Sequence, residues 1–271
     1  MEARGNAPSL QSVLADAASV RERSRGRLID RGLDPDHTIG DAESGGAIDI
    51  ATFYEIIGAT SATEKAGQSP THALARLALQ AGLPSEVADT LFLAYNQQSA
   101  EEAGHGDKVF ANAYFRMGGA APSGDLSAVG EGGDAARFLQ PSEDPRENKR
   151  RLGSFAAVLG GIETFALQQV FPRLMSLCEH WNHPIGRDLV RQIHDVVRPE
   201  ESRHVLIWRY VFHQLIAPKA PTVIDAFMQS TNAGRTQFGG AALDRETLER
   251  MLGTHSPTPR QLLGKDRVFD S

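Results

Sequence analysis

The sequence predicts an all-α protein: four long helices in two hairpins, a long crossover between the second and third helices, and further helical segments at both ends. Three observations carry this reading. Apolar residues recur at helical spacing, and Val, Ile and Thr form no alternating runs. Two turn signals, Gly82-Leu83-Pro84-Ser85 and Trp181-Asn182-His183-Pro184, each sit at the middle of a long helical stretch. Between those stretches, residues 118–148 are rich in Gly, Pro, Ser and Asp and lack apolar periodicity. A loop of that size is unusual inside a compact domain, but joining two helical hairpins into a bundle can require one.

The elements follow in order. Residues 1–46 read as an N-terminal arm, helical but poorly anchored over 8–32, with a polar loop at 33–46. The first long helix covers about 47–81 and is expected to kink near Pro70, which supplies no backbone donor. The second covers about 85–117, the third 146–181 and the fourth 185–216. Pro199 lies inside the fourth, where a kink or π-bulge would be unremarkable. Residues 217–271 read as C-terminal helical segments and a tail, with one helix at 220–230 and another from Asp244, its cap, to Leu252. No composition shift suggests two cores, so the four helices of 47–216 and their flanks are read as one domain.

Composition narrows the partners. A net charge of −6 with no basic run argues against nucleic acid. No apolar run reaches the roughly 18 residues of a membrane span. Met1 to Pro8 lacks the apolar core of a secretory signal, and the single cysteine, Cys178, fits a reducing compartment, so a cytoplasmic protein is expected.

One motif occurs twice. Glu101-Glu102-Ala103-Gly104-His105 and Glu200-Glu201-Ser202-Arg203-His204 each place a glutamate three residues before a histidine, behind a second acid. Positions i and i+3 share a helix face, so the carboxylate and imidazole can reach one point, as a metal ion requires. Upstream, Glu64 precedes Glu102 by 38 residues, and Glu163 precedes Glu201 by 38. The midpoints of these intervals are the two turn signals. Equal arms of an antiparallel hairpin bring both glutamates to one height, roughly 28 Å from the turn at ~1.5 Å per residue. Each hairpin then offers three ligands at one level: Glu64, Glu102 and His105, and Glu163, Glu201 and His204. Glu55 competes with Glu64 but lies nine residues away, half a turn round the helix.

Other residues near the motifs have plainer readings. Tyr95 and Gln98 share the face of Glu102 and could line a pocket, though core packing suits them better, as it does Trp208. The small residues Gly58-Ala59-Thr60-Ser61-Ala62 and Gly160-Gly161 either leave a cavity or allow close helix approach. His180 and His183 fall at a hairpin turn and are expected in solvent.

Four helices carrying Glu, Glu-x-x-His, Glu and Glu-x-x-His resemble the ferritin-like di-iron carboxylate proteins over roughly residues 47–216. The segment from Glu200 to His204 looks like the Asp-Glu-x-Arg-His signature of the ribonucleotide reductase small subunit. The segment from Glu101 to Gly106 looks like its counterpart in bacterial aryl-CoA ring epoxidases, and the first 38-residue spacing is similar to that of acyl-carrier-protein desaturases. The chain departs from each: Val109 stands where the reductase subunit has its radical tyrosine. Val197 stands where aryl-amine oxygenases place a third histidine, and His194, nearby, would need a kinked helix to reach the cluster.

The resemblance implies a ferritin-like bundle holding two iron ions, or manganese, on Glu64, Glu102, His105, Glu163, Glu201 and His204. It further implies that Glu101 and Glu200 orient the imidazoles and that Arg203 pairs with one of these acids. The activity implied is that of an O2-dependent oxygenase or oxidase, by hydroxylation, N-oxygenation, desaturation or epoxidation. Its substrate would be a small molecule, free or bound to CoA or a carrier, and its electrons would come from a ferredoxin or reductase. The alternative on the same ligands is a ferroxidase or iron-handling protein without an organic substrate. A homodimer is compatible with either.

Overall fold

In a computed structural model the chain is described over residues 21–41, 46–120, 139–237 and 239–264. These residues are mostly helical. Their strands are one two-residue antiparallel pairing, Thr38–Ile39 (β1) with Ile48–Asp49 (β2), too short to leave a periodic signal in sequence.

A first helix, α1, covers residues 21–30. This part of the N-terminal arm is firmly held, contrary to the expectation. Leu28 is fully buried, Arg25 pairs with Asp36 at 2.6 Å, and the Ser24 hydroxyl bonds Glu55. One inserted leucine anchors the helix without any repeating apolar pattern. Residues 8–20 of the expected arm helix lie outside the described residues.

Helix α2, Ile50–Gln80, starts where the Asp49 carboxylate accepts the Thr52 N–H at 2.7 Å. It runs through Pro70 without interruption. The carbonyls just before the proline gain other donors: the Thr71 hydroxyl reaches Gly67 and Gln68, and the Ser99 hydroxyl reaches Gln68. A turn with Gly82 at φ +60° leads into α3, which runs Ser85–Gly104, widens to a π-helical turn at His105–Phe110 and ends over Ala111–Arg116. Residues 121–138 of the crossover lie outside the described residues.

Helix α4 runs Pro145–Phe165, through a π-turn at Ala166–Val170, to Phe171–Trp181. Asn182, in the left-handed conformation at φ 48°, reverses the chain, and the His183 ring accepts the Ile185 N–H at 3.3 Å. His183 also stacks on Trp181, so it is a cap and not the free surface residue expected. Helix α5 runs Pro184–Gln192, through a π-turn at Ile193–Val197, then Arg198–Val211 and a second π-turn at Phe212–Ile216. The first of these π-turns ends two residues before Pro199, a position where a defect is unremarkable. Three helices follow: α6 (Pro221–Gln237), longer than expected; α7 (Arg245–Leu252), capped by Asp244; and α8 (Pro259–Leu262), a capping-box turn the sequence reading did not include. Among the described residues, no helix is long and apolar enough to cross a membrane.

The four long helices pack as two hairpins, α2 on α3 and α4 on α5, with α2 also touching α4 and α3 touching α5. Helix α6 lies against the outside of α4. Glycines permit these approaches. A Cβ on Gly160 would fall 2.1 Å from the Trp208 ring, and one on Gly161 would fall 1.9 Å from the Thr231 carbonyl oxygen. Gly160 and Gly161 thus serve close helix contact and leave no cavity there.

The apolar interior forms two clusters. One gathers Leu74, Leu77, Leu91, Leu152, Val211 and Leu215, and the other Phe53, Ile57, Phe110, Phe171, Cys178 and Ile193. Each long helix passes from one cluster to the other. Met117, before the crossover, belongs to the second cluster and Leu139, after it, to the first, so the described residues on either side of the crossover lie in different clusters. The polar layer lies between the two.

Candidate metal centre

The six side chains singled out by spacing come together. Glu64, Glu102, His105 and Glu201 place one ligand atom each within 4.8 Å of one another, and so do Glu102, Glu163, Glu201 and His204. Glu102 and Glu201 belong to both groups. All but Glu64 are buried, and the Glu64 side chain is only 12% exposed. The helix period explains the convergence: each Glu-x-x-His pair lies on one helix face, and the upstream glutamates enter from α2 and α4. The His105 and His204 rings are 6.2 Å apart.

Both histidines present Nδ1 to the cluster. His105 Nδ1 lies 3.2 Å from Glu64 and 3.1 Å from Glu201; His204 Nδ1 lies 3.2 Å from Glu201 and 3.4 Å from Glu102. Their Nε2 atoms point outward, each to the leading acid of the opposite motif. His105 on α3 meets Glu200 of α5 at 2.7 Å, and His204 on α5 meets Glu101 of α3 at 3.0 Å. The duplicated motif therefore works crosswise. Arg203 pairs with Glu101 and lies 3.9 Å from Glu200, tying the two acids together.

Gln98 belongs here and was read in sequence as packing. Its side chain is 1% exposed, and its amide donates to Glu163 at 2.8 Å and to Glu102 at 3.2 Å. Its position four residues before Glu102, on the same face, was the available signal. A buried polar side chain beside the buried carboxyl groups of Glu102 and Glu163 would be costly to leave unpaired.

Protonation follows from crowding. Burial, then the Glu201 charge, pushes Glu102 up to about 8 and Glu163 well above the usual carboxylate range. Burial also raises Glu64. Glu201 goes the other way: burial opposes its ionisation, but His204, His105 and the Glu163 carboxyl hold it well below its ordinary value. Burial would lower the histidines, yet the carboxylates around them outweigh it, raising His105 to about 12 and His204 well above its ordinary value. Without metal the cluster is a store of protons that a cation can displace.

The remaining candidates separate from the site. Glu55 is exposed and bonds Ser24, so Glu64 is the α2 acid that enters the cluster. His194 points to solvent and pairs with Asp195 at 2.8 Å; the neighbouring π-turn does not bring it in. Tyr95 and Trp208 pack in the first apolar cluster, where Trp208 donates to the Thr231 hydroxyl at 3.3 Å. His180 is exposed, and burial pushes the Cys178 thiol up to about 12.

No protein-family model, characterised protein or solved structure matches this chain. The donor set alone bears on what the site can do. Buried carboxylate and imidazole groups, arranged as two overlapping sets of four, could hold metal ions.

Proposed function

We propose that this chain is a ferritin-like four-helix-bundle protein that binds two iron ions and uses O2 to oxidise a small organic molecule. The sharing of Glu102 and Glu201 between two four-donor groups carries the reading, because a single ion would have no use for two such sets. Hard oxygen donors with two imidazoles suit iron or manganese. Four glutamates can balance the charge of two divalent ions, which a buried site needs. Such a pair, cycling between the +2 and +3 levels, would supply electrons for the reduction of O2.

The chain's own residues do the rest. Glu101 and Glu200 accept the Nε2–H of His204 and His105, which fixes each ring with Nδ1 turned inward. Arg203 holds Glu101 in that role. Gln98 orients the carboxylates of Glu102 and Glu163. Insertion of one oxygen atom into substrate, with the other leaving as water, takes two electrons and two protons from outside, so a ferredoxin or reductase is the expected partner. Hydroxylation, N-oxygenation and epoxidation fit this scheme; desaturation draws the same two electrons and two protons, but both oxygen atoms leave as water and the substrate loses two hydrogens.

The experiment is metal analysis followed by anaerobic loading with ferrous iron and exposure to O2. Two irons per chain and O2 uptake that depends on both are expected. Fewer than two metal ions per chain would remove the proposal. Assembly into a closed many-subunit shell that mineralises iron would replace it with an iron-handling role.

A further inference from the structure

Away from the metal centre, a cleft of about 350 Å³ lies between the first turns of α4 and the N-terminal half of α6. That volume is at the lower end of small-molecule sites. Its floor is apolar and buried, made by Gly153, Ile216 and Phe227. Its mouth carries Lys149 and the hydroxyl residues Ser154 and Ser230. Arg150 also lines it, but its guanidinium is held by Glu147 at 2.8 Å. Lys149 has no carboxylate partner among the described residues. Gly153 lies ten residues before Glu163 on α4, about 15 Å along the helix, so the cleft is distinct from the metal centre.

We propose that this cleft binds a small amphipathic anion, with its apolar body against Ile216 and Phe227 and its carboxylate at Lys149. An apolar floor with a few polar groups at the rim is how such sites divide the work between affinity and orientation. Lys149 and the Ser154 hydroxyl are the donors an anionic head requires, the Ser230 hydroxyl being committed to the Ala226 carbonyl at 2.9 Å, and the lining offers no carboxylate to repel it.

The fold supplies a reporter. Phe227 stacks on Trp208 with ring centroids 6.3 Å apart, and the chain contains only two tryptophans. In a Trp181→Phe background, Trp208 emission reads the Phe227 wall. Octanoate is the probe and octanol its uncharged control, titrated into the full-length protein with metal present and after its removal. Saturable octanoate binding is expected, tighter than octanol by roughly fivefold or more and unchanged by metal removal. Lys149→Gln should cancel that preference, and Ser154→Phe, which fills the cleft, should abolish binding while circular dichroism stays unchanged. Equal binding of octanol, or indifference to Lys149→Gln, would overturn the anion assignment. Loss of octanoate binding on metal removal would place the ligand at the metal centre instead, and no saturable signal would remove the site.

Discussion

The crosswise contacts of Glu101 and Glu200 make a testable asymmetry. Each acid fixes a histidine of one donor group only, so Glu101→Gln should weaken the ion on the His204 side and Glu200→Gln the ion on the His105 side. A loss of about 10–100-fold in affinity for one of two equivalents, with stoichiometry retained, is expected in a calorimetric titration with ferrous iron or cobalt. Equal loss at both sites would refute the crosswise assignment. Gln98→Leu leaves two buried carboxyl groups short of a donor and should cost about 1–3 kcal/mol in the metal-free protein, read by chemical denaturation. The pH response has a definite sign. Glu102 titrates at about 8 in the folded chain against 4.5 in the unfolded one, so the unfolded chain sheds its proton first and stability falls as pH rises between those values. His105, raised from 6.5 to about 12, contributes stability present below 6.5 and lost toward 12, which is the same direction. The Tm of metal-free protein should therefore be lower at pH 8 than at pH 5.5, while the gain in Tm on adding metal should grow over that range, because the ion replaces these protons. A metal-free Tm that rises with pH would contradict the arrangement.

At the scale of helices, close approach sets the packing around the candidate metal centre. Gly161 and Gly234 face each other's helices: a Cβ on Gly234 would sit 2.0 Å from the Val158 carbonyl oxygen, matching the clash at Gly161. Gly161→Ala must push α6 off α4, and Glu163 stands two residues on. A loss of about 1–3 kcal/mol or more is expected in thermal unfolding, together with weaker metal binding. The turns, the helix spans and the six converging side chains were legible because they rest on periodicity, on capping and turn residues, and on equal spacing about Leu83 and Asn182. The π-turns at His105–Phe110, Ala166–Val170 and Phe212–Ile216 were not, since one extra residue in a helical turn leaves the residue types unchanged. Only the one beside Pro199 carried a signal. Gln98 was hidden for a related reason: a glutamine on an inward face reads as packing until the carboxylates from another helix are placed against it. The crosswise bonds were equally invisible, because spacing along one helix cannot say which acid meets the histidine of another.

Across the whole molecule, the ligand layer divides the apolar interior in two. Above and below it lie clusters built on Leu74, Leu91 and Val211 and on Phe53, Phe110 and Phe171. Each long helix runs through both, so its midpoint, not its ends, holds the buried acids. In most helices the ends open first, since terminal backbone groups lack partners. Here the metal-free protein concentrates buried polar carboxyl groups at the centre, where desolvation raises Glu64, Glu102 and Glu163 together. Local opening should therefore begin at mid-helix when metal is absent. Hydrogen exchange followed by mass spectrometry should show residues 98–106, 160–166 and 198–205 losing protection on chelation, while the apolar stretches at 73–78 and 171–178 keep theirs. An ion that bridges the helices at Glu102 and Glu201 would suppress that opening, so reloading with metal should restore protection in all three segments at once. Uniform loss along the helices would mean that the two clusters do not hold without the layer between them. No loss at the centre would mean that the carboxyl protons alone are enough to keep the helices joined.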